Sequence, residues 1–321
     1  MNAQRTAMHC LFILDPLDTL NLATETSLLL IEELRRRGHQ TSVATLPDLY
    51  LTEHGAGVGA RTIALDFTRR PVYQTGAVAD RSFTEFDLVL MRKDPPVDAA
   101  YIAATFVLER AACDVPVVND PASLRMVNEK LLPLALPAFS PPTLVSADAG
   151  RLAAFAARHE RVVLKPLDDC SGRGVQIVDA GAPHVFHAYV AAHGGLPVMA
   201  QKFLPAVVAG DKRIFLLAGD PIGAVNRVPC APDRLANIHQ GARVERTTIT
   251  ARERAIIAAV KPLLIERRLW LAGIDVIDGW LTEINVTSPS AARQINQVSD
   301  THIEVPIVDF LERFVSTPKP R

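Results

Sequence analysis

The chain reads as an α/β protein built in three units: a parallel-sheet unit first, a small α+β unit in the middle, and a strand-rich unit at the end. Three observations predict this. Apolar strands alternate with amphipathic helices through the first third, a rhythm that builds a parallel sheet. A turn-rich loop between two short strands marks the centre. The last third is dominated by strands, two of them flanking an Asp-Gly turn.

In the first third, Cys10–Leu14 is a short apolar strand stopped by Asp15-Pro16. Thr26–Gly38 is an amphipathic helix with Arg35, Arg36 and Arg37 in its last turn and a terminal glycine. Ser42–Leu46, Leu88–Met91 and Val115–Val118 are further buried strands, and Ala99–Ala112 is a helix between the last two. Ligands of a parallel sheet gather at the carboxyl ends of its strands. Asp15, Arg92-Lys93-Asp94 and Asn119 stand there.

The proline-rich stretch Ala135–Pro142 reads as a connector. Beyond it, strands near Arg161–Leu164 and Val175–Val178 flank the loop from Lys165 to Gly174. Val198–Phe203, Arg213–Leu217, Gly223–Arg227, Gly273–Ile277 and Leu281–Val286 are strands, with a helix near Ala251–Glu266 between them.

Composition narrows the function. Of 321 residues, 49% are hydrophobic and 21% charged, with a formal charge of −1. That balance is ordinary for a globular enzyme and offers no overall field for nucleic acid or an anionic membrane. The four cysteines are scattered without a CxxC pair, so a zinc knuckle or thioredoxin-type site is not expected. The apolar run before Asp15 is too short for a signal peptide or a spanning helix, and a cytoplasmic location is expected. Neither G-x-x-x-x-G-K-S/T nor a first-strand G-x-G-x-x-G is present, which excludes a P-loop enzyme and argues against a dinucleotide dehydrogenase.

The strongest local signal is Gly273–Pro289. Glu283 and Asn285 are two apart on one strand, so both leave the same face. A carboxylate and an amide oxygen are hard donors suited to Mg²⁺ held jointly with phosphates. A plain two-residue turn would set Asp275 opposite Thr282. An extra residue in the turn, a bulge at Gly279, would bring Asp275 level with Glu283, and that bulge is expected. The competing reading is a hairpin whose polar residues face water.

Lys130, Lys165 and the Asp211-Lys212-Arg213 run sit at strand or segment ends where phosphate could lie. Taken singly, each also fits a solvated surface charge. Asn237–Gly241 and Arg243 form a stretch with little apolar periodicity, open between substrate loop and connector. His184 and His187 read as surface residues.

At these positions the sequence resembles the prokaryotic glutathione synthetases of the ATP-grasp superfamily. The matching segments keep one order: Asp15-Pro16 through Ser27, Met91–Pro96 with Tyr101–Arg110, Asn119–Arg125 with Asn128–Lys130, Lys165–Asp168, Gly210–Arg213, and Leu281–Pro289. The resemblance implies an ATP-grasp fold, with a Rossmann-like N-terminal domain over 1–127, a central α+β lid over 128–203 and a C-terminal antiparallel-sheet domain over 204–321.

It also implies roles. Lys130 and Lys165 would hold ATP phosphates. Gln201, Lys202, Phe203 and Leu204 would cover the adenine, and Asp211 would also belong to the nucleotide site. Asp275, Glu283 and Asn285 would bind Mg²⁺, or Mn²⁺ in its place. Arg213 would neutralise charge on the transferred phosphoryl group. Asp15, Ser27, Arg92, Asn237, Gly241, Arg243 and Ser288 would face the acid and amine substrates.

The implied reaction joins γ-glutamylcysteine to glycine with ATP, through an acyl phosphate. Homo-oligomers are the family tendency. The alternatives are a paralogous ligase for another acid or amine, and an inactive nucleotide-binding sensor.

The chain departs from the family pattern on the substrate side. Asp169, Cys170, Ser171 and Arg173 stand in a loop that is usually richer in glycine, and the Asp168–Gly174 stretch is the expected lid. Leu235 replaces an arginine, and Ala242 a glycine.

Overall fold

The computed structural model describes residues 7–169, 172–230 and 242–316. The chain opens with β1 (His9–Ile13), α1 (Thr26–Arg36) and β2 (Gln40–Ala44). It continues through β3 (Leu49–Thr52), β4 (Gly55–Leu65), β5 (Tyr73–Thr75), β6 (Ala79–Ser82), β7 (Leu88–Met91), α2 (Ala99–Ala111), β8 (Val117–Val118) and α3 (Pro121–Met126). Strands β2, β1, β7 and β8 lie side by side and parallel. β1 is central, and Cys10 to Ile13 are fully buried, which is why it reads as an unbroken apolar run. Its two parallel neighbours lie on opposite sides, so the crevice of this sheet opens at the carboxyl end of β1.

The antiparallel arm β3–β6 was not expected. Its edge strands are short and largely exposed, so they carry no apolar alternation to betray them.

The central sheet joins β9 (Thr143–Ser146), β10 (Arg161–Lys165), β11 (Gln176–Asp179) and β12 (Val198–Lys202) in the order β11-β10-β12-β9, all antiparallel. Helices α4 (Ala149–His159) and α5 (Pro183–Ala192) cover it around Leu152, Phe155, Leu164 and Phe186. Asp148 caps α4 by accepting from the Gly150 and Arg151 amides.

The third sheet runs β15-β14-β13-β16-β17. Its strands are β13 (Asp211–Leu217), β14 (Asp220–Val228), β15 (Arg243–Arg246), β16 (Leu271–Ile277) and β17 (Trp280–Asn285), with α6 (Ala251–Glu266), α7 (Ala292–Ser299) and α8 (Glu304–Ser316) packed around it.

The first and third sheets share two cores. One unites Ile13 and Met91 with Ile214 and Ile284, the other Phe12 and Leu28 with Phe215 and Ile307. Asn119 stitches the seam: its amide nitrogen donates to the carbonyls of Leu271 (2.8 Å) and Val286 (2.7 Å), and its oxygen accepts from Leu271 N (2.9 Å). This strand-end residue therefore joins two sheets. The central sheet keeps a core of its own. Among the described residues no helix is long and apolar enough to cross a membrane.

Candidate active site

The hairpin of β16 and β17 sets the site. Asp275 does stand opposite Glu283, but the expected bulge is misplaced. Asp278 and Gly279, with φ of +48° and +72°, close a plain two-residue turn between Ile277 and Trp280. Two positive φ values match the right-handed twist of the strands. The extra residue is Thr282, between the Val276–Leu281 and Asp275–Glu283 pairs. Its hydroxyl donates to the Asp275 carbonyl at 3.1 Å, so the bulge is held by a side chain rather than by glycine.

Asp275 is buried and clamped. Arg213 donates from Nε at 2.6 Å and Nη2 at 3.0 Å, a two-pronged pair. Arg227 approaches the same carboxylate at 2.9 Å and Asp211 at 2.7 Å. Burial alone would raise the Asp275 carboxyl; Arg213 and Arg227 outweigh it and hold the group well below the ordinary range. Asp211 moves the other way, pushed up to about 6 by burial. Its Oδ1 is buried with no hydrogen-bond partner among the described residues.

The cations arrive from other segments. Lys130 Nζ lies 3.6 Å from Glu283 and also donates to the Asp169 carbonyl. Lys165, at the end of β10, donates to Gln201 Oε1 at 2.9 Å. Its ammonium is held below its usual pKa by burial, with Lys130 adding to the effect. Two ammonium groups crowded together out of water favour an anion between them.

These groups face one cleft of about 680 Å³. Lys130, Lys165, Arg213, Asp275, Glu283 and Asn285 all line it, and so do the Gln201–Leu204 segment, Asp211, Asp15 and Ser288. Val163, Ile177 and Ile277 add apolar wall near that segment. Ser27 and Arg92 stand behind the wall: Arg92 is 3% exposed and donates from Nε to Ser27 Oγ at 3.1 Å and from Nη2 to the Pro289 carbonyl at 2.9 Å.

Arg243 is not brought to the cleft. It opens β15, mostly exposed, and pairs with Glu245 at 2.5 Å. Asn237 and Gly241 lie outside the described residues, as do Leu235, Cys170 and Ser171. The described parts of the 168–174 stretch touch the first unit. Val97 N donates to Asp168 O at 3.2 Å, and Arg173 donates to Pro95 O at 3.3 Å and to Asp169 at 2.6 Å.

Sequence reasoning missed Glu129, Arg227, Glu25 and Gln294. Glu129 Oε1 accepts from Val286 N (2.7 Å), Thr287 N (2.8 Å) and Thr287 Oγ1 (2.9 Å), and so anchors the chain just past β17. Its carboxyl is raised by burial, then by Glu283. Arg227 ends an apolar strand, the same signal that singled out Lys165. Glu25 and Gln294 carried no signal.

The donors suit a hard divalent ion. Asp275 and Glu283 present carboxylates and Asn285 an amide on one face. Asn285 Nδ2 donates to Asp275 Oδ2 at 3.3 Å, which leaves its oxygen available. Asp275 is the more engaged carboxylate, Oδ1 meeting Arg213 and Arg227 and Oδ2 meeting Arg213 and Asn285, so an ion there would replace one of these contacts. Glu283 meets only Lys130, at 3.6 Å, among the side-chain cations of the described residues. Among the described residues no three of His, Cys, Asp or Glu gather into a metal cluster. The fit is therefore to an ion completed by phosphate and water, as Mg²⁺ prefers.

Comparison with known proteins agrees with this geometry. The profile described as "Prokaryotic glutathione synthetase, N-terminal domain" matches residues 8–125, and "Prokaryotic glutathione synthetase, ATP-grasp domain" matches 129–300. Glutathione synthetase of Synechocystis sp. is 39% identical over 95% of this chain and 99% of its own. That of Prochlorococcus marinus is 42% identical over 94% and 96%. Among solved structures, D-cycloserine synthetase DcsG superposes with a TM-score of 0.68 at 16% identity, covering 95% of this chain and 99% of its own. D-alanyl-alanine synthetase A from Vibrio cholerae does so with 0.62 at 13%, covering 97% and 99%. These two speak for the fold alone, and the matching profile over 129–300 identifies that fold as ATP-grasp. The chain belongs to the prokaryotic glutathione synthetase family, whose members use ATP and a divalent metal to form a bond between a carboxylate and an amine.

Proposed function

We propose that this chain is a glutathione synthetase: γ-glutamylcysteine, glycine and ATP become glutathione, ADP and phosphate. A carboxylate is a poor acyl donor. Its oxygen therefore attacks the γ-phosphorus of ATP, ADP departs, and the resulting acyl phosphate carries a good leaving group. The glycine nitrogen then attacks the acyl carbon, loses a proton, and phosphate leaves. Such phosphoryl transfer asks for positioning and charge neutralisation. Lys130 and Lys165 would orient the phosphates, and Arg213 would face the transferred group. Asp275, Glu283 and Asn285 would hold Mg²⁺, which when bound neutralises charge on the phosphate oxygens. The segment Gln201–Leu204 would seat the adenine. Closure of the stretch near Asp168–Gly174 would keep water from the acyl phosphate.

One observation carries the reading: cations from distant segments and three oxygen donors of the hairpin share a single cleft. The sheets also support a division into a substrate domain (1–127), a lid (128–203) and a metal-bearing domain (204–321). A coupled assay of ADP release tests the activity. Release that needs both γ-glutamylcysteine and glycine supports it. Release with a different acid or amine instead would assign a paralogous ligase, and none with any substrate would leave a nucleotide sensor.

A further inference from the structure

A second hollow, of about 330 Å³, opens beside the segment that follows β1. Its base is formed by Leu14 and Val43, its lip by Leu17 and Asp18, and its far wall by Arg61 and Tyr73 of the antiparallel arm. The register explains that wall. Arg61 of β4 stands opposite Val43 of β2, and Leu65 of β4 stands opposite Tyr73 of β5. Opposed residues share a face, and positions four apart on a strand keep it. Val43, Arg61 and Tyr73 therefore lie on one face of the sheet.

Arg61 is half-buried, and its guanidinium makes no hydrogen bond or ion pair among the described residues. The other described arginines left so, Arg158, Arg246 and Arg254, are exposed, where water solvates them. A cation withdrawn from water without a partner is costly, and the planar fork of arginine matches a carboxylate. The Asp18 carboxylate, on the lip, also has no partner among the described residues, Arg61 included. Asp15 borders the hollow too, but it is engaged by Lys93 at 3.0 Å and by the Asp94 amide at 3.0 Å. The hollow thus presents one open cation, one open carboxylate and an apolar floor of Leu14, Leu17 and Val43.

We infer that this hollow is an effector site for a free α-amino acid with a small apolar side chain. The α-carboxylate meets Arg61, the ammonium meets Asp18, and the side chain lies on the apolar floor. The volume falls at the small end of small-molecule sites. Position gives the site its reach. Asp15 lines both the hollow and the catalytic cleft, and Thr19 and Leu20 line the cleft. Among the described residues the hydrogen bonds of residues 16–20 are internal, from Thr19 N (2.9 Å) and Thr19 Oγ1 (2.7 Å) to the Pro16 carbonyl. A zwitterion spanning Asp18 and Arg61 ties this segment to the arm. A cleft wall ordered in advance has less freedom to lose when the acid substrate binds, so the two ligands favour each other.

L-valine is the probe, with isovalerate (its carboxylate half) and isobutylamine (its ammonium half) beside it. Titration calorimetry on the full chain should show saturable binding of L-valine, with each half weaker by roughly tenfold or more. Arg61→Ala should weaken L-valine by a similar factor, and Asp18→Asn should make L-valine and isovalerate bind alike. Both variants should keep the wild-type kcat when no valine is present. At saturating glycine and ATP, L-valine should lower KM for γ-glutamylcysteine about fivefold in the wild type and leave it unchanged in Arg61→Ala. Absence of saturable binding would overturn the site. So would binding that survives Arg61→Ala, which would put the valine in the catalytic cleft, and valine bound without any change in KM would overturn the effector role. The calorimetry needs no turnover, so a lack of ADP release with γ-glutamylcysteine would bring down the proposed function and leave the binding result intact.

Discussion

At Asp275 two guanidinium groups share one carboxylate, and each residue of that knot has a different duty. Both arginines line the cleft, and Arg213 is the one that grips Asp275 with two donors, Nε and Nη2. Arg213→Ala should lower kcat by on the order of 10³-fold or more, in keeping with arginines that stabilise phosphoryl transfer, while the dissociation constant for ATP changes little. Steady-state kinetics beside nucleotide titration checks this, and matched losses in both would oppose the role. Asp275→Asn should act on stability as well. It leaves Arg213 and Arg227 buried beside a neutral amide, a loss of about 3–5 kcal/mol for a broken buried pair, measurable by denaturant unfolding. The pH dependence has a definite sign. The folded Asp275 carboxyl titrates below its unfolded counterpart, at about 3.9. Its contribution is thus complete above that value and lost as pH falls through the acid range. Asp275→Asn should therefore flatten the wild-type loss of stability below about pH 4.

At the scale of elements, the hairpin and its anchor make one unit. Glu129 holds the exit of β17 through three hydrogen bonds accepted by one carboxylate oxygen, and its main-chain carbonyl accepts from Ile284 N. Glu129→Ala would orphan buried donors, at about 1–3 kcal/mol for each group left unpaired. It should also raise KM for ATP, because Glu283 and Asn285 lose their support, whereas Glu129→Gln, which keeps an acceptor, should fall between. Melting curves and ATP kinetics on both variants check the order. Much of this was legible. The face shared by Glu283 and Asn285 follows from strand period, and Asp278-Gly279 announces its own turn. The position of the bulge was not legible, because a Thr282 hydroxyl reaching the Asp275 carbonyl depends on how the strands twist. Glu129 was hidden for a related reason: its partners lie 157 and 158 residues away, and a long-range hydrogen bond leaves no local pattern. The arm β3–β6 was missed because exposed edge strands lack the alternation that marks a buried face.

At the scale of the molecule, the order of sheets could be read from the chain but their packing could not. Burial is non-directional, so nothing in Ile13 or Phe12 says that they will meet Ile214 or Phe215 across a shared core. The central sheet, with its separate core, meets the rest around the cleft and through the contacts of Asp168, Asp169 and Arg173 with Val97, Lys130 and Pro95. A triphosphate in that cleft would tie the central sheet to the other two and bind only the folded chain. At a nucleotide concentration a hundred times its dissociation constant, the gain is about 2.7 kcal/mol. ATP with Mg²⁺ should therefore raise Tm by a few degrees. A chelator should shrink that rise, since Glu283 and Asp275 then meet phosphate without a cation between them. The Glu283→Gln variant separates the contributions. It removes one carboxylate from the set, so it should weaken the dependence on Mg²⁺ while leaving the Tm of the free protein close to wild type. A thermal scan in which Mg²⁺ shifts the variant and the wild type equally would show that the hairpin is not where the ion binds.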